Sequence, residues 1–228
     1  MTVLADWKLR IDIDAVLRGQ GADPGALRAR SPRLVETARQ ALEEGEPLLA
    51  PRVLYDRLPV EQIRHEQVRL KGGGKLQGSL LGQHLGGARE VVLCLCTIGD
   101  ALEVCASLAC QQDMVYGLAL DGVGSAAVEA LANAACAQFE TTAREAGLQA
   151  SIPLSPGMIG WPVEQGQPQL FDLLNADELG VRLSASMLMT PRKSLTFVLG
   201  FGEQMDPSAR TCDYCSLKDS CRYQDHYS

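Results

Sequence analysis

The longest helix-compatible stretch of the sequence, residues 114–146, constrains the fold more than any other segment. Apolar residues recur along it at spacings of three and four, which is typical of a helix with one face in a core. These residues are Val128, Leu131, Ala135 and Phe139. The many alanines favour close packing against neighbouring helices, and Gly147 is suited to end the helix because glycine readily adopts the left-handed conformation of a C-cap.

A buried strand is predicted at residues 91–98, where Val-Val-Leu-Cys-Leu-Cys-Thr-Ile forms a short apolar run, and Gly99 then opens a helix to about Cys110. Further strands or extended segments are predicted at 8–13, 53–57, 66–70, 181–189 and 195–200, and further helices at 14–19, 32–44, 75–85 and 169–175. Strands and helices that follow one another without regular βαβ alternation predict an α+β domain.

The composition is that of a globular protein, with 46% hydrophobic and 21% charged residues in a chain of 228. The net charge of −7, and basic runs that are not interleaved with aromatic residues, argue against nucleic-acid binding. Neither a signal segment nor a run of about 18 apolar residues is visible, so we expect a cytoplasmic protein that does not act in a membrane. No catalytic residues are predicted, because neither a Ser–His–Asp pattern nor a pair of carboxylates can be argued from the sequence.

A cysteine tail, residues 206–228, carries the strongest sign of a metal site. Its three cysteines follow the spacing Cys-x2-Cys-x5-Cys and are Cys212, Cys215 and Cys221. A four-iron four-sulfur cluster usually takes four cysteines, so Cys94, Cys96 or a ligand other than cysteine would complete it. A zinc site could instead recruit His226. The third interpretation is three thiols without a metal.

Four short elements occur in order in the second half of the chain, and two more precede them. They are Ser155-Pro-Gly157, Trp161-Pro162, Leu170-Phe171-x-x-Leu174 and Leu183-x-x-Ser186-x-x-Met189-x-Pro191-x-x-Ser194, preceded by Cys96-Thr-Ile-Gly99 and Leu120-Asp121-x-x-Gly124-Ser-Ala-Ala-x-Glu129. This series resembles the activation domain of cobalamin-dependent methionine synthase. It is more similar still to the standalone activation-domain-like proteins found beside corrinoid methyltransferase systems.

The resemblance implies an α+β, C-shaped domain with a twisted antiparallel sheet flanked by helices. Residues 1–89 would be an N-terminal α+β part of the same domain, residues 90–205 the activation-domain-like core, and residues 206–228 the metal-binding tail. The implied function is that of an accessory protein, which docks on a cobalamin-binding corrinoid or methionine synthase protein and supports reductive reactivation of the cobalt. An electron donor would be a further partner, and a cluster in the tail could supply the electron.

The resemblance leaves two alternatives and leaves open whether the chain is an enzyme. It could be the S-adenosylmethionine-binding activation subunit of a split methionine synthase, or a non-catalytic binding module with structural zinc. The residues expected to contact the ligand or the corrin are Glu129, Ser155, Pro156, Gly157, Met158 and Trp161. The family has an Arg and a Tyr where this sequence has Pro153 and Met158. Loss of one charged contact to a buried ligand costs about 2–5 kcal/mol, so we expect weakened binding of S-adenosylmethionine.

Overall fold

An antiparallel sheet lies at the centre of the fold, which is a computed structural model describing residues 1–206, 209–215, 218 and 221. Within these residues the sheet has seven strands: β1 (Thr2–Leu4), β2 (Arg52–Arg64), β3 (Gln67–Leu70), β4 (Lys75–Gln77), β5 (Glu90–Thr97), β6 (Gln149–Ala150) and β9 (Ser194–Gly202). A separate two-stranded sheet is formed by β7 (Arg182–Leu183) and β8 (Met189–Thr190). The spatial order of the large sheet is β4-β3-β2-β5-β9-β6, and β1 pairs with the first half of β2.

Strand β2 is long enough to join two parts of this sheet. Its residues 52–59 pair with β5, whereas its end pairs with β3, beyond an irregularity in the register between Val60 and Gln62. A bulge of this kind bends the strand and increases its twist. Because β2 and β5 are hydrogen-bonded neighbours, residues from both sides of the predicted boundary at residue 90 share one sheet. The domain boundaries themselves stay predictions.

Seven helices flank the sheet in the described part of the chain. They are α1 (Ile13–Gly19), α2 (Pro24–Arg30), α3 (Pro32–Gly45), α4 (Ser79–His84), α5 (Ala101–Gln112), α6 (Met114–Glu145) and α7 (Val163–Leu173), with 3-10 turns at Glu46–Leu48, Ala176–Leu179 and Thr211–Tyr214. Helices α1, α3 and α5 pack around α6. Antiparallel strands with helices on both faces confirm the predicted α+β fold.

The two faces of the sheet are covered by two separate cores. One, the α6 core, buries apolar residues of α1, α3, α5 and α6 against Val92, Cys94 and Cys96 of β5. The other, the α7 core, buries residues of α4 and α7 and the segment around Trp161 against the alternate residues of β5. Alternate side chains of a strand point to opposite faces, so β5 reads as a continuous apolar run because both of its faces are buried.

Helix α6 has the predicted length and ends as predicted. The Asp113 carboxylate caps its start by accepting the backbone N–H of Val115 at 2.9 Å and of Tyr116 at 3.1 Å. Gly147, with φ of +72°, follows its end. The predicted apolar stripe is buried in the α6 core. Within the described residues α6 is the one helix long and apolar enough to cross a membrane, but 56% of its apolar window is buried, as in a core helix.

Two predictions of secondary structure are wrong, and a third has displaced bounds. Residues 8–13 are not a strand; Leu9 and Ile11 pack on the α6 core, so their alternation reflects packing against a helix rather than pairing in a sheet. Residues 75–85 form β4 followed by the short helix α4, because Gly78 interrupts them with extended backbone. Helix α7 begins at Val163, several residues before the predicted start, and continues through Pro168.

Candidate functional site

Two cavities of about 520 and 390 Å³ lie along α6 and are here called, together, the α6 groove. The larger cavity is lined by residues 133–144 of α6, by residues 148–153 around β6, and by Asp206, Ala209 and Thr211 of the cysteine tail. The smaller cavity lies between residues 126–134 of α6 and the segment from Lys8 to Ala15. Asn133 lines both cavities.

Two polar atoms of the larger cavity are buried without a hydrogen-bond partner in the described structure: Oδ1 of Asn133 and Oγ1 of Thr211. More than nine in ten buried polar groups in proteins are hydrogen-bonded to protein or to ordered water. Leaving such an atom unsatisfied costs about 1–3 kcal/mol. Both atoms belong to residues that line the larger cavity and that the sequence did not single out.

The groove carries charges of both signs. Glu140, Arg144 and Asp206 line the larger cavity. The smaller one has Lys8, Arg10, Asp12 and Glu129. The Asp12 carboxylate also caps α1, accepting the N–H of Ala15 at 2.7 Å. A ligand with both an ammonium and a carboxylate would find opposite charges within this groove.

Three thiols lie behind and beside the groove. Cys94 and Cys96 are fully buried in the α6 core with their Sγ atoms 3.8 Å apart, and Cys136, also buried, lines the larger cavity. Burial raises the pKa of Cys94 and of Cys136 well above the ordinary thiol value, so both remain protonated. That Cys94 or Cys96 supplies the fourth ligand of a metal site in the tail stays a prediction.

The segment from Ser155 to Trp161 is a tight turn. The N–H of Gly157 donates to the carbonyl of Trp161 at 2.8 Å, and the N–H of Trp161 donates to the carbonyl of Met158 at 2.9 Å. Gly157 and Gly160 have φ of +102° and +90°, which favours glycine at both positions. The side chains of Met158 and Trp161 are buried in the α7 core.

The cysteine turn, residues 211–215, contains the first two cysteines of the tail. Its N–H of Cys215 donates to the carbonyl of Cys212 at 3.3 Å, so one turn of chain separates the two residues, as their spacing predicts. The Lys218 ammonium, 2.7 Å from the Asp213 carboxylate, lowers the pKa of that carboxyl. Among the described residues, no three His, Cys, Asp or Glu side chains are grouped closely enough to hold a metal ion. The metal site at Cys212, Cys215 and Cys221 stays a prediction.

Tyr214 attaches this turn to the α7 core. Its carbonyl accepts the N–H of Ile159 at 2.8 Å, and its ring meets the His84 ring edge-on with centroids 4.4 Å apart. Burial lowers the pKa of His84, while Asp206 opposes part of this effect. The cysteine turn is thus held against the turn that contains Met158.

No family model matches the sequence, and no curated protein matches it by sequence. Thirteen chains of solved structures do match. One is the crystal structure of the MetH reactivation domain bound to AdoHcy, with a TM-score of 0.70 over 97% of this chain and 84% of that one, at 15% identity. The chain has the fold of the MetH reactivation domain. At this identity the likeness shows the fold alone, and it confirms the activation-domain-like fold that the motifs predicted.

Within the MetH reactivation fold, the predicted ligand residues separate into two groups. Glu129 lines the α6 groove, whereas Met158 and Trp161 face the α7 core on the other side of the sheet. Ser155, Pro156 and Gly157 belong to the turn, and only the preceding residues 151–153 reach the groove. The structure therefore brings Glu129 together with Asn133, which the sequence analysis did not single out, and not with Trp161. Periodicity could have found Asn133, because it lies one helical turn after Glu129.

Proposed function

We propose that this chain is an accessory protein of cobalamin (corrinoid)-dependent methyl transfer, which docks on a corrinoid protein and supports reductive reactivation of its cobalt. The observation that carries the proposal is the correspondence of nearly the whole chain with the MetH reactivation domain. The order of the sequence motifs between Cys96 and Ser194 supports it independently. We place the protein in the cytoplasm. Cobalamin-dependent methyl transfer is compatible with this compartment, and so are eight cysteines that form no disulfide, because the cytoplasm keeps thiols reduced.

The α6 groove favours a second candidate, an S-adenosylmethionine-binding activation subunit of a split methionine synthase. The solved structure with this fold holds AdoHcy. S-adenosylmethionine combines an amino-acid end, which has both charges, with a polar nucleoside end. In this proposal Glu129 and Asn133 bind the polar groups of S-adenosylmethionine. Pro153 lines the larger cavity and offers the ligand no charged contact, so the affinity for S-adenosylmethionine is lower than it would be with an arginine there.

Calorimetry with S-adenosylmethionine and AdoHcy tests the groove directly. We expect a heat signal in the wild type and at least about tenfold weaker binding in Asn133→Ala, since a charged or polar ligand would lose a buried contact. Asn175→Ala is the matched control, because this exposed asparagine bonds Glu178 far from the groove. No heat at millimolar ligand would end the S-adenosylmethionine proposal while leaving the docking proposal intact.

Docking on a corrinoid protein requires a separate assay. Purified chain is mixed with a cobalamin-binding methyltransferase held in the cob(II) form, and the visible spectrum is followed with a chemical reductant and S-adenosylmethionine present. The proposal predicts a complex on a sizing column and faster conversion to the methylated form. Failure to bind any corrinoid protein tested, in either oxidation state, would contradict it.

We further propose that the cysteine tail holds a metal centre through Cys212, Cys215 and Cys221, a four-iron four-sulfur cluster in the first instance and zinc as the alternative. A cluster would supply low-potential electrons. Anaerobic purification with metal analysis separates the alternatives. A brown protein that absorbs near 400 nm and is bleached by dithionite supports the cluster; one zinc per chain supports the binding module with structural zinc. Cys212→Ser should remove either metal, and Cys110→Ser, in helix α5, serves as the control.

A further inference from the structure

The outer surface of strands β2, β3 and β4 carries two rows of polar side chains. Register partners on neighbouring strands share one face of a sheet, and so do alternate residues of one strand. The two rows, here called the basic face, are Gln62, Arg69 and Lys75 in one and Arg64, Gln67 and Gln77 in the other. Val68 and Leu76 alternate with these residues and are buried in the α7 core. The basic face therefore points away from that core, with its three cations exposed and its glutamines half-buried.

Two cations stand directly opposite each other in the first row. Arg69 and Lys75 are register partners, and like charges in such positions destabilise a sheet. Within the described residues, neither cation has a carboxylate within ion-pair distance; Arg69 instead donates from Nε to Oε1 of Gln67 at 3.1 Å. Local rules of this kind are broken chiefly at functional sites. An anion bound between Arg69 and Lys75 would remove the repulsion.

The surroundings of this pair are also short of negative charge. Arg64 adds a third cation in the second row, and Lys71 lies exposed in the turn between β3 and β4. The segment from residue 60 to residue 77 has two carboxylates, and neither belongs to a row: Glu61 lies at the register irregularity of β2, and Glu66 lies in the turn before β3. On a chain with a net charge of −7, the basic face is thus a local positive surface.

We propose that the basic face binds an acidic segment of a partner protein, whose carboxylates bridge Arg69 and Lys75 and reach Arg64. A strand face is flat, whereas sites for small ligands are concave, so a macromolecule is the better fit. The three glutamines both donate and accept hydrogen bonds, which suits peptide groups, whereas phosphate oxygens only accept. Neither row contains an aromatic side chain on which a nucleic-acid base could stack. This inference does not depend on the proposed function.

The partner binds across the face and not along the edge of the sheet. Strand β4 is the last strand on this side. The Gln169 side chain accepts the N–H of Gln77 at 2.8 Å and donates to its carbonyl at 3.4 Å. A strand added to this edge would find the main chain of Gln77 already bonded. Side-chain charge is therefore what the basic face offers to a partner.

Fluorescence anisotropy of a labelled oligoglutamate peptide, titrated with the full chain at low salt, tests the proposal. We expect binding that added salt weakens. The double variant Arg69→Gln with Lys75→Gln should bind about fivefold more weakly, which corresponds to two exposed ion pairs of ordinary strength. The matched control is Arg33→Gln with Arg39→Gln, which changes the net charge equally at exposed positions of α3 and should bind like the wild type. Circular dichroism checks that every variant is folded.

Three results of the titration would overturn the proposal. One is the absence of binding to oligoglutamate at low salt. Another is equal weakening in the double variant and in the α3 control, since net charge alone would then account for the effect. The third is tighter binding of oligothymidylate, polyphosphate or phosphatidylglycerol vesicles than of oligoglutamate, because the occupant would then be of another class.

Urea unfolding of the two single variants and the double variant tests the repulsion itself. In the absence of peptide, the stabilising effects of Arg69→Gln and Lys75→Gln should sum to more than the effect of the double variant, because either substitution alone already removes the repulsion. Additive effects would show that the two cations do not oppose each other in the free protein. The reason for an anion between them would then be lost, and the proposal with it.

Discussion

Replacement of Gly166 with alanine measures how tightly the turn between Ser155 and Trp161 is packed. Gly166 lies in the first part of α7, beside this turn. A Cβ at this position would lie 2.8 Å from Cβ of Pro156 and 2.8 Å from Cε2 of Trp161. Neither neighbour is the end of a flexible side chain, and the indole is fully buried. One of the packed groups must therefore move to admit the methyl group.

Two effects of opposite sign determine the expected change in stability. Alanine is favoured over glycine within a helix by about 0.5–1 kcal/mol. An extra methyl group in a well-packed core destabilises by about 1–3 kcal/mol. We expect Gly166→Ala to lose about 1–2 kcal/mol overall. The matched control is Gly25→Ala in α2, whose new Cβ would meet only Oδ1 of Asp23, at an ordinary 3.4 Å, and which should gain up to about 1 kcal/mol.

Urea unfolding, followed by tryptophan fluorescence and by circular dichroism, gives both free energies of unfolding. The m-value should be unchanged in each variant, so that a shift in midpoint reports stability. If Gly166→Ala were as stable as the wild type while Gly25→Ala gained, Trp161 could not be packed as described. The turn would then be available as a contact surface, which is the other role that the sequence allowed for Trp161.

Two further predictions concern single side chains. Burial lowers the pKa of His84 below 6.5, so the folded protein resists protonation of this ring. The cysteine turn should therefore be fully attached above pH 6.5. Its attachment should weaken as the pH falls through the lowered pKa. Proteolysis of the tail across this range measures it, and His84→Gln should abolish the pH dependence. Native alkylation followed by mass spectrometry should label Cys212 well before Cys94 and Cys96, which are fully buried. Equal labelling rates would contradict the placement of these thiols.

Local signals in the sequence were sufficient for the central elements of the fold. The stripe from Val128 to Phe139 and the glycine at 147 predicted α6 almost to the residue, because caps and long periodic stretches act locally. The apolar run at 91–98 predicted β5 with a shift of one residue. The motifs between Cys96 and Ser194 predicted the fold itself through their order, which no single motif could have done.

The site could not be predicted in the same way, because it depends on contacts between distant segments. Asn133 and Thr211 are 78 positions apart in the numbering and acquire significance only when β6 and the tail meet α6 at one cavity. Trp161 illustrates the converse: its position in a family motif suggested a contact surface, yet the glycines at 78 and 166 leave room for its ring inside the α7 core. The packing of Thr211 and of Trp161 leaves no periodic trace in the sequence, unlike the position of Asn133 on α6.

The path of the cysteine tail links the two sides of the molecule. The N–H of Met205 donates to Oε1 of Gln149 at 3.1 Å while its side chain is buried in the α7 core; Thr211 then lines the α6 groove, and Tyr214 packs on the α7 core again. Cys212 therefore lies in the chain between Thr211, which lines the groove, and Tyr214, whose carbonyl accepts the N–H of Ile159.

A metal in the tail and a ligand in the groove should for this reason affect one another. A metal that fixes the cysteine turn would also fix Thr211 in the wall of the groove. A ligand in the groove would then lose less conformational entropy on binding, and the affinity of the protein for that ligand would rise. We expect AdoHcy to bind on the order of fivefold more tightly to metal-loaded than to chelator-treated protein, by calorimetry. Thermodynamic linkage requires that bound AdoHcy raise the affinity of the protein for the metal by the same factor. Equal affinities in the loaded and stripped protein would show that the wall at Thr211 is set without the metal, and would separate the two sites.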